Sequence, residues 1–592
     1  MTLQVLSHRP GIPWLNHSNR FPARVGPAYG VAGLPAGLWV TALVAAWVMF
    51  GLVGHDPWKA DEAHTFGIVI DYLRHGDWVV PTLAGEPFVE KPPLFYIVSA
   101  ASAYLFGGLL PLHDAARLAT GFFVGIALLF LGLTARELYG RGYAAACVVI
   151  FISCLGTFVR LHQIITDVAL LAGMALGVFG LTLARRSLWA AGVAIGTGAA
   201  CAFFAKGLLG PGLLAVTSLL LPLFPAWRTR RYFAALGIAA LIAMVPAAIW
   251  MYALFARAPE LFHEWFVINN LGRFFGFTRI GPHAPPGYYG YTLLWYAFPA
   301  LPLAGYAVWT AWRRPEAEAA RHDIQLPALL AMVVASVLGF ANDSRELYLL
   351  PLMLPISLLA AKGIAWLPAA GISAMSNGAK WGFGTIALVI WLGWLALVTG
   401  IPVHLQAMLL AYQPGFEPEV DWIHFALAVC ATLVTGIVLN RNGASPGRAL
   451  TQWALGLTLC WALLAALWMP YFDAGKSYRT MIGSLALQLP TRGCVASLHL
   501  GEPQRGLLLY FAQVTTVRLE VQPDAPCDAL LIQGWRTTGA RPPSADWTEV
   551  WEGARPGDLK ELYRLYRRDV APGYAVTRFP HNVGRGWRSR RR

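Results

Sequence analysis

The chain has 592 residues, of which 57% are apolar and only 13% are charged, and its mean hydropathy is +0.53. Soluble domains carry about a quarter charged residues, so this composition excludes a soluble globular enzyme. The net charge of +14 would suit nucleic acid, but the arginines fall in short loops between apolar runs, where the positive-inside rule places them. We therefore predict a polytopic α-helical membrane protein that binds no nucleic acid.

The first segment, residues 1–36, carries Arg9, Arg20 and Arg24 ahead of the first apolar run. That run has no small-residue cleavage site, so we predict a retained signal anchor and a cytoplasmic N-terminus. Apolar runs long enough to cross a bilayer as helices predict about thirteen transmembrane helices. They begin near residues 37, 114, 142, 165, 188, 208, 232, 291, 325, 346, 381, 422 and 450.

A fourteenth apolar run, residues 94–107, is short for a crossing. If it lies along the membrane surface, the basic loops of the chain face the cytoplasm, as the positive-inside rule requires. The opposite, outer side then receives the loop 54–93, the turn at Thr166-Asp167, the loop 257–290, the loop from Asn342 and the region from about Tyr471.

The loop after the first predicted span is rich in charged side chains. It holds the acidic pair Asp61-Glu62, followed by residues with helical spacing, and the pair Glu90-Lys91 directly before two prolines. Proline suits the first turn of a helix, and a lysine just before a helix N-terminus attracts anions such as phosphate. The alternatives are structural, because the acidic pair could simply begin or cap a helix and Glu90 could pair with Lys91.

Further charged side chains lie at the outer ends of later spans. Asp167 begins one span, and Lys206 lies between two closely connected spans, where either a phosphate partner or snorkelling would explain it. Arg273, Arg345 and Tyr348 follow in later outer loops, and the fork of an arginine binds phosphate oxygens. Carboxylates and cations next to lipid suit a polyprenyl-phosphate-linked substrate, because the cations would stabilise the departing phosphate.

Residues 471–592 differ in character and predict a small α/β domain. Apolar runs that begin at Gly493 and Ala529 predict strands, whereas the segments from Met481 and Asp558 predict helices. The two cysteines of this region, Cys494 and Cys527, would form a disulfide in an oxidising compartment, and two free thiols are the alternative. A basic tail, residues 585–592, contacts lipid headgroups or is solvated.

The segment DEAHTFGIVIDYLRHGDWVVPTLAGEPFVEKPPLFYI, which begins at Asp61, closely resembles the first outer loop of the aminoarabinose lipid A transferases. These enzymes belong to the protein O-mannosyltransferase superfamily, the GT-C class of polytopic glycosyltransferases. The shared pattern is an acidic pair, Gly-Asp-Trp, Pro-x-x-x-Gly and then Glu-Lys-Pro-Pro-Leu-Phe-Tyr. Shorter matches follow in the expected order at Thr166-Asp167, Lys206-Gly207, Gly272-Arg273-Phe274 and the stretch from Leu347 to Pro351.

The resemblance implies a GT-C fold and an inverting glycosyltransferase of the bacterial inner membrane. The donor would be a sugar on undecaprenyl phosphate, and the acceptor lipid A or another envelope molecule on the periplasmic face. We expect a monomer with a membrane catalytic domain at residues 37–470, whose loop 54–113 carries the active-site acids, and a periplasmic domain at residues 471–592. The expected catalytic residues are Asp61, Asp167 and Glu62, and the expected substrate- or phosphate-binding residues are Glu90, Lys91, Lys206, Arg273, Arg345 and Tyr348.

The chain departs from the family pattern at two places. Asn269-Asn270 stand where the family tends to have an acid and a histidine, and Arg345 stands where it has a lysine. The histidine that would ligate a divalent metal is thus missing, which leaves Glu90 as the candidate metal ligand, and the resemblance implies no other cofactor.

Three other functions stay open. One is transfer to a protein or another envelope glycan within the same superfamily. The second is transport of a lipid-linked substrate, although no internal repeat favours a transporter fold. The third is a non-catalytic scaffold.

The role of Asp61 depends on the acceptor. A phosphate acceptor is already ionised, whereas a hydroxyl acceptor needs a general base such as Asp61.

Overall fold

The computed structural model describes residues 36–278, 285–313, 318–340, 345–440, 445–569 and 575–579. Residues 1–35 of the predicted cytoplasmic segment, residues 342–344 of the outer loop and the basic tail lie outside these ranges.

Apart from one small hairpin, the regular secondary structure of the described chain up to residue 486 is helical, as the apolar runs predict. The first ten are α1 (Ala36–Met49), α2 (Asp61–His75), α3 (Leu94–Phe106), α4 (Leu112–Tyr139), α5 (Arg141–Ile152), α6 (Leu155–Arg160), α7 (Asp167–Leu183), α8 (Leu188–Lys206), α9 (Leu209–Leu220) and α10 (Arg230–Arg257). The next fourteen are α11 (Pro259–His263), α12 (Arg273–Phe275), α13 (Tyr288–Tyr296), α14 (Ala300–Arg313), α15 (Glu318–Phe340), α16 (Leu350–Trp366), α17 (Ala369–Gly378), α18 (Gly384–Thr399), α19 (Val403–Tyr412), α20 (Trp422–Leu439), α21 (Pro446–Leu463), α22 (Met469–Lys476), α23 (Arg479–Ala486) and, within the C-terminal sheet region, α24 (Glu502–Ala512). Short π-helical or 3₁₀ segments connect some of them, including Glu264–Gly272 and Glu346–Leu349.

Eight helices in the described residues are long and apolar enough to cross a membrane. They are Leu112–Tyr139, Leu188–Lys206, Arg230–Arg257, Asp323–Phe340, Glu346–Trp366, Ala369–Thr399, Trp422–Leu439 and Pro446–Lys476. All eight coincide with predicted spans, and shorter apolar helices occupy the positions predicted from residues 37, 142, 165 and 208. The run predicted from residue 291 is divided between α13 and α14. The prediction of a polytopic helical membrane protein is confirmed.

The first loop folds as a helix, a hairpin and a second helix. Helix α2 begins at Asp61, and its N-cap residue, Ala60, makes no side-chain capping bond. The helix ends at Gly76, whose φ of +66° is the left-handed conformation that favours glycine. Strands β1 (Thr82–Leu83) and β2 (Glu86–Pro87) then form a small antiparallel hairpin ahead of α3.

The C-terminal region contains a six-stranded mixed sheet in the order β4-β3-β5-β7-β6-β8. Its strands are β3 (Val495–Leu498), β4 (Thr516–Arg518), β5 (Ala529–Trp535), β6 (Thr548–Gly553), β7 (Glu561–Arg567) and β8 (Thr577–Arg578). Strand β3 pairs in parallel with β4 and β5, whereas β7 pairs antiparallel with β5 and β6. The predicted small α/β unit is therefore present.

One prediction in this region is wrong, because the segment from Asp558 forms strand β7 and not a helix. The strand lies inside the sheet and is buried on both faces: Tyr563 and Leu565 pack in one apolar cluster and Tyr566 packs in another. Apolar residues on both faces hide the two-residue alternation of a strand, and pairing with two neighbours overrides a local preference for helix.

The C-terminal region packs directly on the first loop. Helix α24 contacts α2 so closely that a Cβ on Gly67 would approach the Cα of Gly506 to 3.0 Å. Glu86 of the hairpin pairs with Arg505 at 2.9 Å and with Arg518 at 3.0 Å. The sheet therefore holds the loop that carries the predicted active-site acids.

Candidate functional site

A cavity of about 390 Å³ lies beside the first turn of α2, between α7, α8 and the turn Glu346–Leu349. Eight of the nine predicted site residues line it, although the chain brings them from six separate segments. They are Asp61, Glu90, Lys91, Asp167, Lys206, Arg273, Arg345 and Tyr348. Glu62 is the exception.

Three ion pairs link these segments across the cavity. The Arg345 guanidinium donates to Asp61 Oδ1 at 2.9 Å, Arg273 pairs with Glu90, and Lys206 pairs with Asp167. The Lys206 ammonium also lies 4.3 Å from the centroid of the Tyr348 ring. The predicted alternative pair, Glu90 with Lys91, does not form as a direct ion pair in the described structure.

Lys91 differs from the other three cations of the cavity, because it makes no ion pair with any residue that the structure describes. The cavity wall carries four cations and three carboxylates, which leaves one positive charge in excess. Burial would raise the pKa of Glu90, but Lys91 and then Arg273 hold it well below its usual range. Glu90 is therefore held as a carboxylate, and Lys91 is still available to pair with an anion.

His64 lies beside these charged side chains but contributes no charge to the cavity. Burial, and then the charge of Lys91, lowers the pKa of His64 to about 4. Its ring packs edge-on against Phe88, with the centroids 4.5 Å apart. At neutral pH the imidazole is uncharged, so the excess charge of the cavity is that of Lys91.

Glu62 lies behind the cavity in a buried polar network. Its carboxylate accepts from Arg117 Nε and from the Ile164 backbone N–H, each at 3.1 Å. Burial would raise the pKa of Glu62, but Arg117 and His55 lower it to about 2. Because Glu62 ties the start of α2 to α4 and to the segment before α7, its geometry suits positioning of Asp61 more than contact with a substrate.

The asparagine pair lines the cavity next to Lys206. Asn270 accepts from the Leu208 backbone N–H at 3.2 Å and donates to the Trp265 carbonyl at 2.7 Å. Gly207 turns the chain here with a φ of +75°, and a Cβ on it would meet Asn270 Oδ1 at 2.6 Å. Asn270 therefore shapes the turn that presents Lys206.

The donor set does not fit a resident metal at Glu90. Over the described ranges, no three His, Cys, Asp or Glu side chains come together as a metal site. The Glu90 carboxylate is engaged by Arg273 instead, so we assign no chemical step to a metal.

The sequence analysis missed the apolar wall of the cavity and one polar residue. Thr65 lines the cavity and is four residues after Asp61, on the same face of α2, which is a signal that the sequence contains. The apolar wall comes from α9 and α15, and no polar pattern marks it. Its residues include Leu209, Gly212, Leu213, Val216, Val337 and Leu338.

Comparisons with known proteins agree on one family. No protein-family model matches the chain. The chain is 30% identical over 342 residues to undecaprenyl phosphate-alpha-4-amino-4-deoxy-L-arabinose arabinosyl transferase 1 of Sodalis glossinidius, a match that covers 55% of this chain and 59% of the relative. It is 26% identical over 399 residues to the corresponding transferase of Photorhabdus laumondii, with coverage of 65% and 68%.

Solved structures show the same likeness in fold. ArnT from Cupriavidus metallidurans bound to undecaprenyl phosphate superposes with a TM-score of 0.65 at 18% identity, over 89% of this chain and 97% of that one. The same protein in the apo state gives a TM-score of 0.64 at 17% identity, over 90% and 98%.

The chain has the fold of ArnT and is a multi-pass membrane protein, with eight helices in the described residues that are long and apolar enough to cross a membrane. The resemblance to the aminoarabinose transferases that the first loop predicts is confirmed. The predicted enzyme class also agrees with the names of these relatives, which are glycosyltransferases with a lipid-phosphate-linked donor.

Proposed function

We propose that the protein transfers a sugar from an undecaprenyl phosphate donor to lipid A on the periplasmic face of the bacterial inner membrane, with inversion at the anomeric carbon. The observation that carries the proposal is a cavity with one polar wall and one apolar wall. The polar wall has one excess positive charge, which suits the singly charged phosphodiester of the donor. The apolar wall suits a polyprenyl chain.

The three cations on one side of the cavity would bind the donor phosphate. Lys91 offers a free ammonium, while Arg273 and Lys206 are held in place by Glu90 and Asp167. In the transfer, the bond between the anomeric carbon and the phosphate oxygen breaks and the oxygen keeps the electron pair. Fixed cations at that oxygen stabilise the developing charge more in the transition state than in the bound substrate.

Asp61 would act on the acceptor. Its carboxylate is fixed by Arg345 at 2.9 Å, so one oxygen is oriented before any substrate arrives. The acceptor oxygen attacks the anomeric carbon from the face opposite the leaving phosphate, which inverts the configuration. A lipid A phosphate would be oriented by this pair, whereas a hydroxyl acceptor would also lose its proton to Asp61.

We infer that the site faces the periplasm and that about thirteen helices cross the membrane. This count places the 13-residue helix α3 along the membrane surface, because the basic loops between the predicted spans then face the cytoplasm. The disulfide between Cys494 and Cys527 supports an oxidising compartment for the C-terminal region.

Mass spectrometry of lipid A and of surface glycans from a deletion strain tests the proposal. A sugar-modified species present in the parent strain should be missing in the deletion strain and return when the gene is restored. Unchanged lipid A together with an altered glycan or glycoprotein would show that the acceptor is that glycan or protein, as for other members of the superfamily. No change in any envelope glycoconjugate would contradict a transferase.

The variant Asp61→Asn separates the enzyme from the transporter and scaffold alternatives. Complementation with this variant should restore membrane insertion but reduce the modified product by at least about 100-fold, because the acceptor loses its orienting carboxylate and a hydroxyl acceptor would also lose its general base. Glu260→Gln changes an exposed carboxylate that lines no part of the cavity and is the matched control. Full activity of Asp61→Asn would remove Asp61 from the mechanism.

A further inference from the structure

A second cationic surface lies beside the Asp61–Arg345 pair and outside the cavity. We call it the Trp58 surface and define it by Trp58, Arg160, Glu346 and Lys476. None of these four residues lines the cavity. Trp58 is three residues before Asp61, and Glu346 directly follows Arg345, so the surface begins where the cavity ends.

Two neighbouring side chains of α22 fix Trp58. Its Nε1–H donates to Asp473 Oδ1 at 2.8 Å, and the Lys476 ammonium lies 4.2 Å from the centroid of its ring. Asp473 and Lys476 are three residues apart and so lie on one face of that helix. The backbone N–H of Trp58 also donates to Glu62 at 3.3 Å, which ties the surface to the start of α2.

Lys476 is an exposed cation without a carboxylate partner among the residues that the structure describes. Its charge interacts with those of Arg160 and Arg555, which are like charges, and with Glu62, whose carboxylate Arg117 already occupies. Arg160 and Arg555 have carboxylate partners of their own, Glu346 and Asp558, so Lys476 is the cation of this group that can still pair with an added anion.

Arg160, at the end of α6, provides an independent observation. Its guanidinium pairs with Glu346 and donates to Gln163 Oε1 at 3.1 Å, but its Nε is buried and has no partner. A buried donor without a partner costs free energy, and a shift of the Arg160 side chain towards an anion held by Lys476 would supply the missing acceptor.

We propose that Lys476 and Arg160 bind the phosphate group of an anionic glycolipid acceptor next to Asp61. Lys476 ends the helical run Pro446–Lys476, which contains a candidate membrane span, so the Trp58 surface lies on the side of the membrane at which that span ends, where lipid headgroups are close by. The inference rests on the proposed function and deepens it. Lys91 serves the donor phosphate inside the cavity, and Lys476 serves the acceptor phosphate outside it.

Binding measurements on the full-length protein in phosphatidylcholine nanodiscs test the proposal. The probes are lipid A with both phosphates, the same lipid A with both phosphates removed, and undecaprenyl phosphate. Lys476→Gln and Arg160→Gln should each weaken binding of the phosphorylated lipid A by about tenfold and leave binding of undecaprenyl phosphate unchanged. Lys476→Arg should retain binding, and Arg492→Gln, an exposed cation of the C-terminal region, is the control.

The outcomes separate this inference from the proposed function. If Lys476→Gln binds lipid A as tightly as the wild type does, the Trp58 surface is not the acceptor site. The same conclusion follows if the wild type binds dephosphorylated and phosphorylated lipid A equally. Neither result affects the donor site. Failure of the wild-type protein to bind undecaprenyl phosphate would instead contradict the proposed function. If a modest excess of inorganic phosphate displaces lipid A, the site binds a free anion, and its assignment to a lipid headgroup is wrong.

Discussion

Each of the four cations of the cavity has a different set of partners. Lys206 is nearly buried and paired with Asp167, with 11% and 4% of the two side chains exposed. Arg273 and Arg345 hold Glu90 and Asp61. Lys91 alone among the four makes no ion pair with a described residue. The same substitution should therefore have different effects at Lys91 and at Lys206.

We predict that Lys91→Gln weakens binding of undecaprenyl phosphate by about tenfold and destabilises the protein less than Lys206→Gln does, because Glu90 keeps its ion pair with Arg273. Lys206→Gln should weaken binding too, but it should also destabilise the protein by about 3 kcal/mol, because it leaves the buried Asp167 carboxylate unpaired. Lipid binding and thermal unfolding of the two variants, measured side by side in one detergent, check this. Equal stability of both variants would contradict it.

Glu62 gives a prediction of acid sensitivity. Its pKa falls from an ordinary value of about 4.5 to about 2 in the folded protein, so ionised Glu62 stabilises the fold above about pH 4.5. This contribution, about 3 kcal/mol, is lost as the pH falls through about 2. Unfolding free energies between pH 6 and pH 2 should therefore fall more steeply for the wild type than for Glu62→Gln, which cannot ionise. Parallel curves would contradict the assignment.

At the scale of secondary-structure elements, α9 and α15 form the apolar wall against which we propose that the lipid chain lies. Gly212 lies on the cavity wall of α9, and a Cβ placed there would meet no atom within 4 Å. The open space next to this glycine is continuous with an apolar wall that includes Leu213 and Leu338. A larger side chain at Gly212 can thus fill the groove without displacing protein atoms close to its Cβ.

We predict that Gly212→Phe lowers the affinity for undecaprenyl phosphate by at least about tenfold and leaves the protein folded. A short-chain polyprenyl phosphate should be affected less, because it depends less on the groove. Gly237→Phe is the matched control, since Gly237 also lies in a helix with open space around it but lines no part of the cavity. Equal binding of the long-chain lipid by both variants would exclude this path.

At the scale of the whole molecule, the C-terminal sheet and the membrane helices share the first loop. The contact of Gly67 with Gly506 and the pairing of Glu86 with Arg505 hold α2 and the hairpin from the side of the sheet. On the membrane side, Arg117 holds Glu62. Asp61 is thus fixed between two parts of the protein that are far apart in sequence.

The disulfide gives a test of the compartment. We predict that alkylation of the denatured protein, isolated from membranes without reductant, adds five labels, and that seven are added after reduction. These numbers correspond to five free cysteines out of seven, with Cys494 and Cys527 paired. Intact-mass spectrometry counts the labels, and Cys494→Ser should give six under both conditions. Seven labels without reductant would argue against a periplasmic C-terminal region.

The sequence alone predicts the helical membrane architecture, because a bilayer imposes long apolar runs that are visible without any partner. It also locates most of the site, since Asp61, Glu90 and Lys91 lie within one specific motif. The helix wrongly predicted for the segment from Asp558 shows the limit. A buried strand and a helix have similar local patterns. Only the pairing of β7 with β5 on one side and with β6 on the other identifies this segment as a strand.

Which charges neutralise each other was decided by the tertiary structure. The motif sets Glu90 beside Lys91 in sequence, yet Glu90 pairs with Arg273, 183 residues away, and Asp61 pairs with Arg345, 284 residues away. Charge pairing depends on distance in space, and the fold sets that distance through contacts between helices distant in sequence. The residue types and their order therefore predict an anion-binding membrane site, whereas the packing of α2, α7 and α8 leaves Lys91 without an ion-pair partner among the described residues and so makes it the cation that we propose binds the anion.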